Sequence, residues 1–197
     1  FAGVATGAAD GYARMADKPA ATLLHLGCGL GNGLANLHNA RKGKVPIINI
    51  VGDHAKHHVQ YDAQLQSDIE TVARNVSPGF VRTSQATEAL CSDAVDAIVD
   101  ACTYPNSVST LILPADVSWG KNGIPAIVPE QTPAPVATDD AVAEIAKAIS
   151  ASKKSGKKSA LLLGGRALRE PSILAAAKIA ANNGVKLLAE TFPTRIE

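Results

Sequence analysis

Residues 24–33, LHLGCGLGNG, carry a glycine at every second position from Gly27 to Gly33. The apolar residues 20–24 before them predict a buried parallel strand, and residues 34–40 after them have helical spacing. A turn with so few side chains between a strand and a helix lets a ligand approach the main chain closely. His25 adds an ionisable group at its entrance. The combination indicates a cofactor site rather than a plain connection.

Composition and charge exclude several kinds of partner. The chain has 197 residues, of which 46% are hydrophobic, and a formal net charge of +1. So small a charge produces no field that would recruit nucleic acid or an anionic membrane. No apolar run approaches the ~20 residues that span a bilayer. Three cysteines without metal-ligand spacing, Cys28, Cys91 and Cys102, favour a reducing and hence cytoplasmic setting.

Helical and strand patterns alternate through the first part of the chain. Strands are expected near residues 20–26, 46–51, 79–83 and 109–113, with helical patterns between them. This alternation is typical of an α/β domain with a parallel sheet, which we assign to residues 1–120.

A proline-rich stretch separates a second α/β pattern from the first. Four prolines between Pro125 and Pro135 prevent a helix, so residues 121–138 are predicted to be an extended linker. The pattern over residues 139–197 begins at Asp139, the expected N-cap. Because the chain starts at Phe1 inside a helical pattern, we expect it to be a piece of a longer polypeptide.

Two other interpretations of the glycine segment stay open. A tight strand-to-helix crossover needs no ligand. A dinucleotide site needs G-x-G-x-x-G, and the two frames of the segment have Asn32 and Leu34 where the third glycine belongs. Asp53 nevertheless follows the next strand, near the place of an acid that binds a ribose hydroxyl. An NAD- or FAD-dependent oxidoreductase is therefore the alternative function.

The flanks of the glycine segment carry a family resemblance. ADGYAR at residues 9–14, NGLANL at residues 32–37 and PIINIVGD at residues 46–53 occur in this order. Together they resemble the pyrimidine-binding domain of thiamine-diphosphate-dependent decarboxylases and carboligases, above all acetolactate synthase large-subunit-like proteins. The resemblance covers residues 1–120. Beyond the linker, residues 161–165 and 188–193 resemble the start of that family's Rossmann-like central domain.

This resemblance implies a cofactor, a substrate and an assembly. The cofactor would be thiamine diphosphate with Mg²⁺, the substrate a 2-oxo acid, and the active site would form between subunits of a homodimer or homotetramer. The family's magnesium motif, G-D-G followed by an asparagine, is absent, so the metal site is expected outside this segment. FAD is a further option, since some acetolactate-synthase-like enzymes hold it against the central domain. Gly164-Gly165-Arg166 could meet a nucleotide phosphate there, but a surface turn is the preferred interpretation of these residues.

The resemblance also assigns individual residues. The family's glutamate, which activates the aminopyrimidine of the cofactor, falls on Ala2, and a methyl group cannot exchange a proton. This member is therefore substituted there, works without the usual acid, or is a non-catalytic relative. Cofactor contacts are assigned to four residues of the glycine segment, with Cys28 expected to be a small buried filler: Gly27, Cys28, Gly29 and Asn32.

His25 matches an active-site histidine of the benzoylformate decarboxylase type. A histidine is suited to proton transfer near neutrality, and a structural histidine bonded to nearby backbone is the alternative.

Three further histidines follow the second strand, in GDHAKHH at residues 52–58. The carboxyl ends of strands in an open α/β sheet are where ligands bind. His54, His57 and His58 are therefore candidate proton donors that face the substrate. A zinc site completed by Asp53 or Asp62 and a merely solvated loop are the two alternatives.

Overall fold

Four parallel strands organise the first part of the chain. Across the sheet their order is β1 (Ala20–His25), β2 (Ile47–Asp53), β4 (Val108–Pro114) and β3 (Val81–Thr83). Each neighbouring pair is parallel. The α/β class with a parallel sheet that the sequence predicts is therefore confirmed.

The computed structural model describes all residues 1–197 and divides into two compact units, Phe1–Thr132 and Pro133–Glu197. The division falls within the stretch between Trp119 and Asp139, which forms no helix or strand. No helix is long and apolar enough to cross a bilayer.

Helices pack on both faces of the central strands of the first sheet. Residues of α1 (Ala2–Ala16), α2 (Leu26–Lys42) and α3 (Ile69–Arg74) share one buried cluster with Ile47 and Val51 of β2. Ile48, next to Ile47, lies in a second cluster with residues of α4 (Leu90–Cys102). Consecutive residues of a strand point to opposite faces, so β2 is buried on both sides. β1 alternates between buried and exposed residues, so the prediction of a buried strand at residues 20–24 is wrong for one of its faces.

The glycine segment is helical, and the expected irregular turn does not exist. β1 ends at His25 and α2 begins at Leu26, where a positive φ of 55° makes the corner in a single residue. A Cβ on Gly27 would overlap the side chain of Ser67, and one on Gly33 would lie 2.8 Å from Thr6 Cγ2. The prediction failed because glycine disfavours an isolated helix, whereas here close packing requires it.

The second unit repeats the helix–strand alternation on a smaller scale. It contains α6 (Asp139–Lys154), β5 (Ala160–Leu163), α7 (Glu170–Asn183) and β6 (Lys186–Ala189), and its two strands pair in parallel. The N-cap of α6 is Thr138, whose side chain accepts a hydrogen bond from the Ala141 amide, and not Asp139 as expected. Asp139 instead occupies the first helical turn, where an acid also favours the helix.

Candidate active site

The carboxyl ends of three strands of the first sheet lie side by side. His25 at the end of β1 pairs with Gly52 of β2, and Gly52 pairs with Leu113 of β4. An open cleft of about 680 Å³ lies at this edge. That volume is within the range of small-molecule sites, and this edge is where open parallel sheets bind ligands.

The structure brings four of the predicted site residues together in this cleft. His25, His54, His57 and His58 all line it, and so does Asp53. His25 ends β1, whereas the other three histidines follow β2. These residues lie close together because β1 and β2 are parallel and their carboxyl ends are side by side. The remaining wall is largely apolar and includes Leu23 and Trp119.

His54 is the most constrained of these histidines. Its backbone amide donates a 2.7 Å hydrogen bond to Asp53 Oδ1. Its ring lies 5.7 Å from that of His58, which in turn lies 5.8 Å from the ring of Tyr61. His54 Nε2 is buried and has no hydrogen-bond partner in the protein. A buried polar atom of this kind normally has one, so the arrangement fits a polar group of a ligand in the cleft.

A clamp between two elements holds the histidine loop. The Lys56 amide donates a 3.0 Å hydrogen bond to Asp116 Oδ1, and Lys56 Nζ lies 3.7 Å from Asp116 Oδ2. Lys56 Nζ also donates to the carbonyl of Gln85. The amide hydrogen bond lowers the pKa of Asp116, and the charges of Lys56 and His57 lower it further. The loop after β2 is thus tied to α5 (Ala115–Trp119).

The proposed cofactor-contact residues lie on α2 and outside the lining of the cleft. Gly27 and Gly29 are buried, and Asn32 is exposed. Cys28 is exposed too, which corrects the expectation of a buried filler. Gly27, Gly29 and Leu30 occupy the inner face of this helical turn, so Cys28 faces outward, and its thiol donates to the His25 carbonyl at 3.3 Å.

Ala2 begins α1 and is half-buried against the first core cluster. The same end of α1 contacts α2, because Asn36 Nδ2 donates to the Gly3 carbonyl at 2.6 Å and a Cβ on Gly3 would lie 3.2 Å from the Asn32 carbonyl. Ala2 therefore lies near Asn32 and is not part of the histidine-lined cleft. The predicted site residues form two groups, one at the sheet edge and one along the helix pair.

The histidine loop does not provide the set of ligands that a zinc site needs. Among residues 1–197 no three histidine, cysteine, aspartate or glutamate side chains are grouped so that they could hold a metal ion. Asp53 bonds the His54 amide, and Lys56 of the same loop bonds Asp116.

The glycine turn of the second unit does not fit a phosphate. The Gly165 amide donates a 2.6 Å hydrogen bond to Glu190 Oε1, and a Cβ on Gly164 would lie 2.9 Å from the same oxygen. A carboxylate already occupies the position where the amide would meet an anion, and two like charges there repel. The structure therefore favours the surface turn over an FAD phosphate contact at Gly164-Gly165-Arg166.

Sequence reasoning missed α5 and the two residues that it brings to the site. Asp116 anchors the histidine loop, and Trp119 lines the cleft. The available signal was Pro114 followed by an acidic residue in the first turn, which is typical of a helix start. The pattern was too short to separate from the linker that follows it.

Comparison with known proteins identifies the domain that carries this cleft. Residues 2–74 match the family model of the thiamine pyrophosphate enzyme N-terminal TPP binding domain. The chain is therefore similar to proteins of the thiamine pyrophosphate enzyme family. It is 50% identical over 198 residues to IlvX of Mycobacterium tuberculosis H37Rv, a curated protein named as an acetolactate synthase large subunit. That match covers 100% of this chain and 37% of IlvX, so the chain spans little more than a third of its relative's length.

Solved structures of thiamine pyrophosphate enzymes have the same architecture. A Mycobacterium smegmatis protein described as a thiamin diphosphate-dependent enzyme superposes with a TM-score of 0.82 at 26% identity, over 98% of this chain and 36% of that one. Benzoylformate decarboxylase from Polynucleobacter necessarius gives 0.75 at 24% identity, over 95% of this chain and 35% of that one. The second likeness shows the fold alone.

Proposed function

We propose that this chain is the pyrimidine-binding part of a thiamine-diphosphate-dependent enzyme that decarboxylates a 2-oxo acid and ligates the product to a second carbonyl compound. The observation that carries the proposal is the convergence of four histidines in one cleft at the carboxyl edge of the sheet of a TPP-binding domain. Imidazoles change protonation near neutral pH and so can handle the protons of such a reaction.

Within this proposal His25 and His54 have the principal roles. Thiamine diphosphate, when bound, supplies the carbon nucleophile that attacks the 2-oxo group. His54 Nε2, buried without a partner, binds the carboxylate or carbonyl oxygen of the substrate. His25, exposed at the end of β1, donates or accepts the proton there. His57 and His58 complete the polar wall, and the Lys56–Asp116 clamp keeps that wall in position.

The cofactor contacts are proposed at the helix pair. Cys28 and Asn32 present exposed polar side chains on α2, whereas Gly27 and Gly29 are buried and act by allowing close packing. The methyl group of Ala2 offers the aminopyrimidine no hydrogen bond. This protein thus works without the usual acid or is a non-catalytic relative. The non-catalytic relative is the second candidate function, and it rests on Ala2 alone.

The assembly around the cleft is also part of the proposal. Residues 1–120 form the pyrimidine-binding domain, residues 121–138 the linker and residues 139–197 the start of a central domain. The Mg²⁺ site lies elsewhere in a cytoplasmic homodimer or homotetramer. The outer face of α1 supports an oligomer, because Val4, Tyr12 and Met15 are 70%, 54% and 68% exposed and share one helical stripe.

The test is turnover by the intact polypeptide with thiamine diphosphate and Mg²⁺, followed as CO₂ released from a panel of 2-oxo acids. Replacing His25 or His54 by alanine is expected to lower kcat roughly 100-fold, the lower end for a lost acid–base group. His38→Ala is the matched control, because His38 is exposed on α2 outside the cleft. Binding of a nicotinamide dinucleotide, with no response to thiamine diphosphate, would overturn the proposal.

Ala2→Glu separates the two candidates. If turnover appears or rises in this variant, the chain belongs to a catalyst limited by the missing acid. If neither the native protein nor the variant turns over any 2-oxo acid while both bind thiamine diphosphate, the non-catalytic relative is the correct candidate.

A further inference from the structure

Three aromatic rings form a row along the loop that follows β2. The ring centroids of His54 and His58 are 5.7 Å apart with 51° between the ring planes, and those of His58 and Tyr61 are 5.8 Å apart with 56°. Tilted aromatic rings attract each other at such distances. His54 and His58 line the cleft, and Tyr61 does not. The row therefore extends from the cleft to a tyrosine that is 69% exposed.

Two turns of the backbone produce this row. The His58 amide donates a 2.8 Å hydrogen bond to the carbonyl of Ala55, which is buried, so the chain turns back after His54. The Tyr61 amide then donates to the carbonyl of His58 at 3.1 Å, in the short 3₁₀ helix Val59–Tyr61. Side chains three residues apart on a 3₁₀ turn lie one above the other. The local backbone thus places Tyr61 on His58 and His58 beside His54.

The ring of His54 is not oriented by hydrogen bonds. Its backbone amide donates to Asp53 Oδ1, but its imidazole has no hydrogen bond within the protein, and Nε2 is buried. An imidazole that binds a ligand through one nitrogen usually has the other nitrogen held by a carboxylate or a carbonyl. The contact with His58 is therefore the specific interaction that remains to fix the plane of the His54 ring.

Tyr61 takes no part in the core of the first unit. It belongs to neither of the two buried clusters, and most of its side chain is exposed. Surface substitutions that remove no buried contact change stability little. A loss of activity on removal of the Tyr61 ring can therefore be assigned to its contact with His58.

We infer that His58 and Tyr61 are positioning residues for His54. The row of rings fixes the plane of the His54 imidazole and thereby directs Nε2 toward the substrate. This inference rests on the proposed function, in which His54 Nε2 binds an oxygen of the substrate. Tyr61 lies outside the lining of the cleft and acts through the two imidazoles.

The first experiment measures kcat/KM for pyruvate and phenylglyoxylate in the intact enzyme with thiamine diphosphate and Mg²⁺. Tyr61→Ala is expected to lower it about 2- to 10-fold, the effect of a lost aromatic pair. Tyr61→Phe keeps the ring and should retain the native value. Val59→Ala truncates another side chain of the same 3₁₀ helix outside the cleft and is the matched control, expected to behave as the native protein.

A double variant tests whether Tyr61 acts through His54. In a His54→Ala background, Tyr61→Ala should lower kcat/KM no further, because a positioning residue has no effect once the residue that it holds is gone. A full additional loss in the double variant would overturn the inference.

Nuclear magnetic resonance of the same protein with isotope-labelled histidine gives a readout that needs no turnover. Tyr61→Ala should shift the imidazole signals of both His58 and His54, because the loss of the tyrosine ring lets both imidazoles reorient. Tyr61→Phe and Val59→Ala should leave the His54 signal in place. A His54 signal that is the same in Tyr61→Ala and in the native protein would contradict the inference.

The two experiments separate this inference from the proposed function. No turnover of any 2-oxo acid by the native enzyme or by Ala2→Glu refutes the proposed catalytic function. The spectra then still decide whether the row of rings holds His54.

Discussion

Thr22 Oγ1 donates a 2.8 Å hydrogen bond to Asn49 Oδ1 in the interior of the first sheet. The two residues are register partners on β1 and β2, and Thr110 is the register partner of Asn49 on β4. Asn49 Nδ2 donates to Thr110 Oγ1 at 3.3 Å, and the Ser77 hydroxyl lies 2.7 Å from the same oxygen. This buried polar ladder crosses three strands and aligns the ends that carry the cleft.

Replacing Asn49 by leucine is expected to destabilise the first unit by about 1–3 kcal/mol, because buried hydroxyls of Thr22 and Thr110 lose their amide partner. Urea unfolding followed by amide exchange in β1 and β2 measures the loss. Asn39→Leu on the exposed face of α2 is the control and should change stability little. Equal stability of the Asn49 and Asn39 variants would show that the ladder does not stabilise the sheet.

Two glycines of the same helix are expected to respond to alanine in opposite directions. Gly27→Ala should destabilise by about 1–3 kcal/mol, since its Cβ would overlap Ser67. Gly31→Ala should stabilise by about 0.5–1 kcal/mol, since nothing lies within 4 Å of that Cβ and alanine favours the helix. Thermal unfolding measures both. Ser67→Gly should restore the Gly27 variant; a failure to do so would contradict the overlap with Ser67.

The clamp on the histidine loop is expected to depend on acid pH. The Lys56 amide, with the charges of Lys56 and His57, lowers the folded pKa of Asp116 below its ordinary value of 3.8. A carboxyl with a depressed folded pKa stabilises the fold fully above its unfolded pKa and loses that contribution as the pH falls through the folded pKa. The protection factor of the Lys56 amide, which is the intrinsic exchange rate at a given pH divided by the observed rate, should therefore stay constant at neutral and mildly acidic pH and fall only in stronger acid.

Asp116→Asn should remove most of this acid dependence, because an amide accepts the Lys56 hydrogen bond without a titrating charge. Asp62→Asn, at an exposed position of the same loop region, is the control, and this variant should retain the acid dependence of the native protein. If Asp116→Asn and the native protein show the same profile, another group controls the loop.

The sheet and most of the site histidines could be predicted from local pattern. Both apolar runs, at residues 20–24 and 47–51, form strands, although β1 is exposed on one face, and the residues after a parallel strand lie at the ligand-binding edge of the sheet. His25 and His54 were therefore identifiable before any coordinates. The helical conformation of the glycine segment could not be predicted in this way. It depends on the packing of Gly27 against Ser67 and of Gly33 against Thr6, which are distant in sequence.

Some features depend on contacts that no local pattern encodes. Cys28 faces solvent because glycines fill the inner side of its helical turn. Glu190 lies 25 residues from Gly165 in sequence, yet its carboxylate accepts the hydrogen bond of the Gly165 amide. That amide is therefore not available to a phosphate.

By itself, the sequence determined the α/β architecture, the break between its two parts and the position of imidazoles at the ends of strands, since all three follow from short-range periodicity and proline placement. Only the tertiary structure decided that Trp119 and Leu23 line the cleft that holds those imidazoles, and that Ala2 does not. Which side chains from separate elements share one space is set by helix packing and strand register, and these come from contacts between residues far apart in the chain.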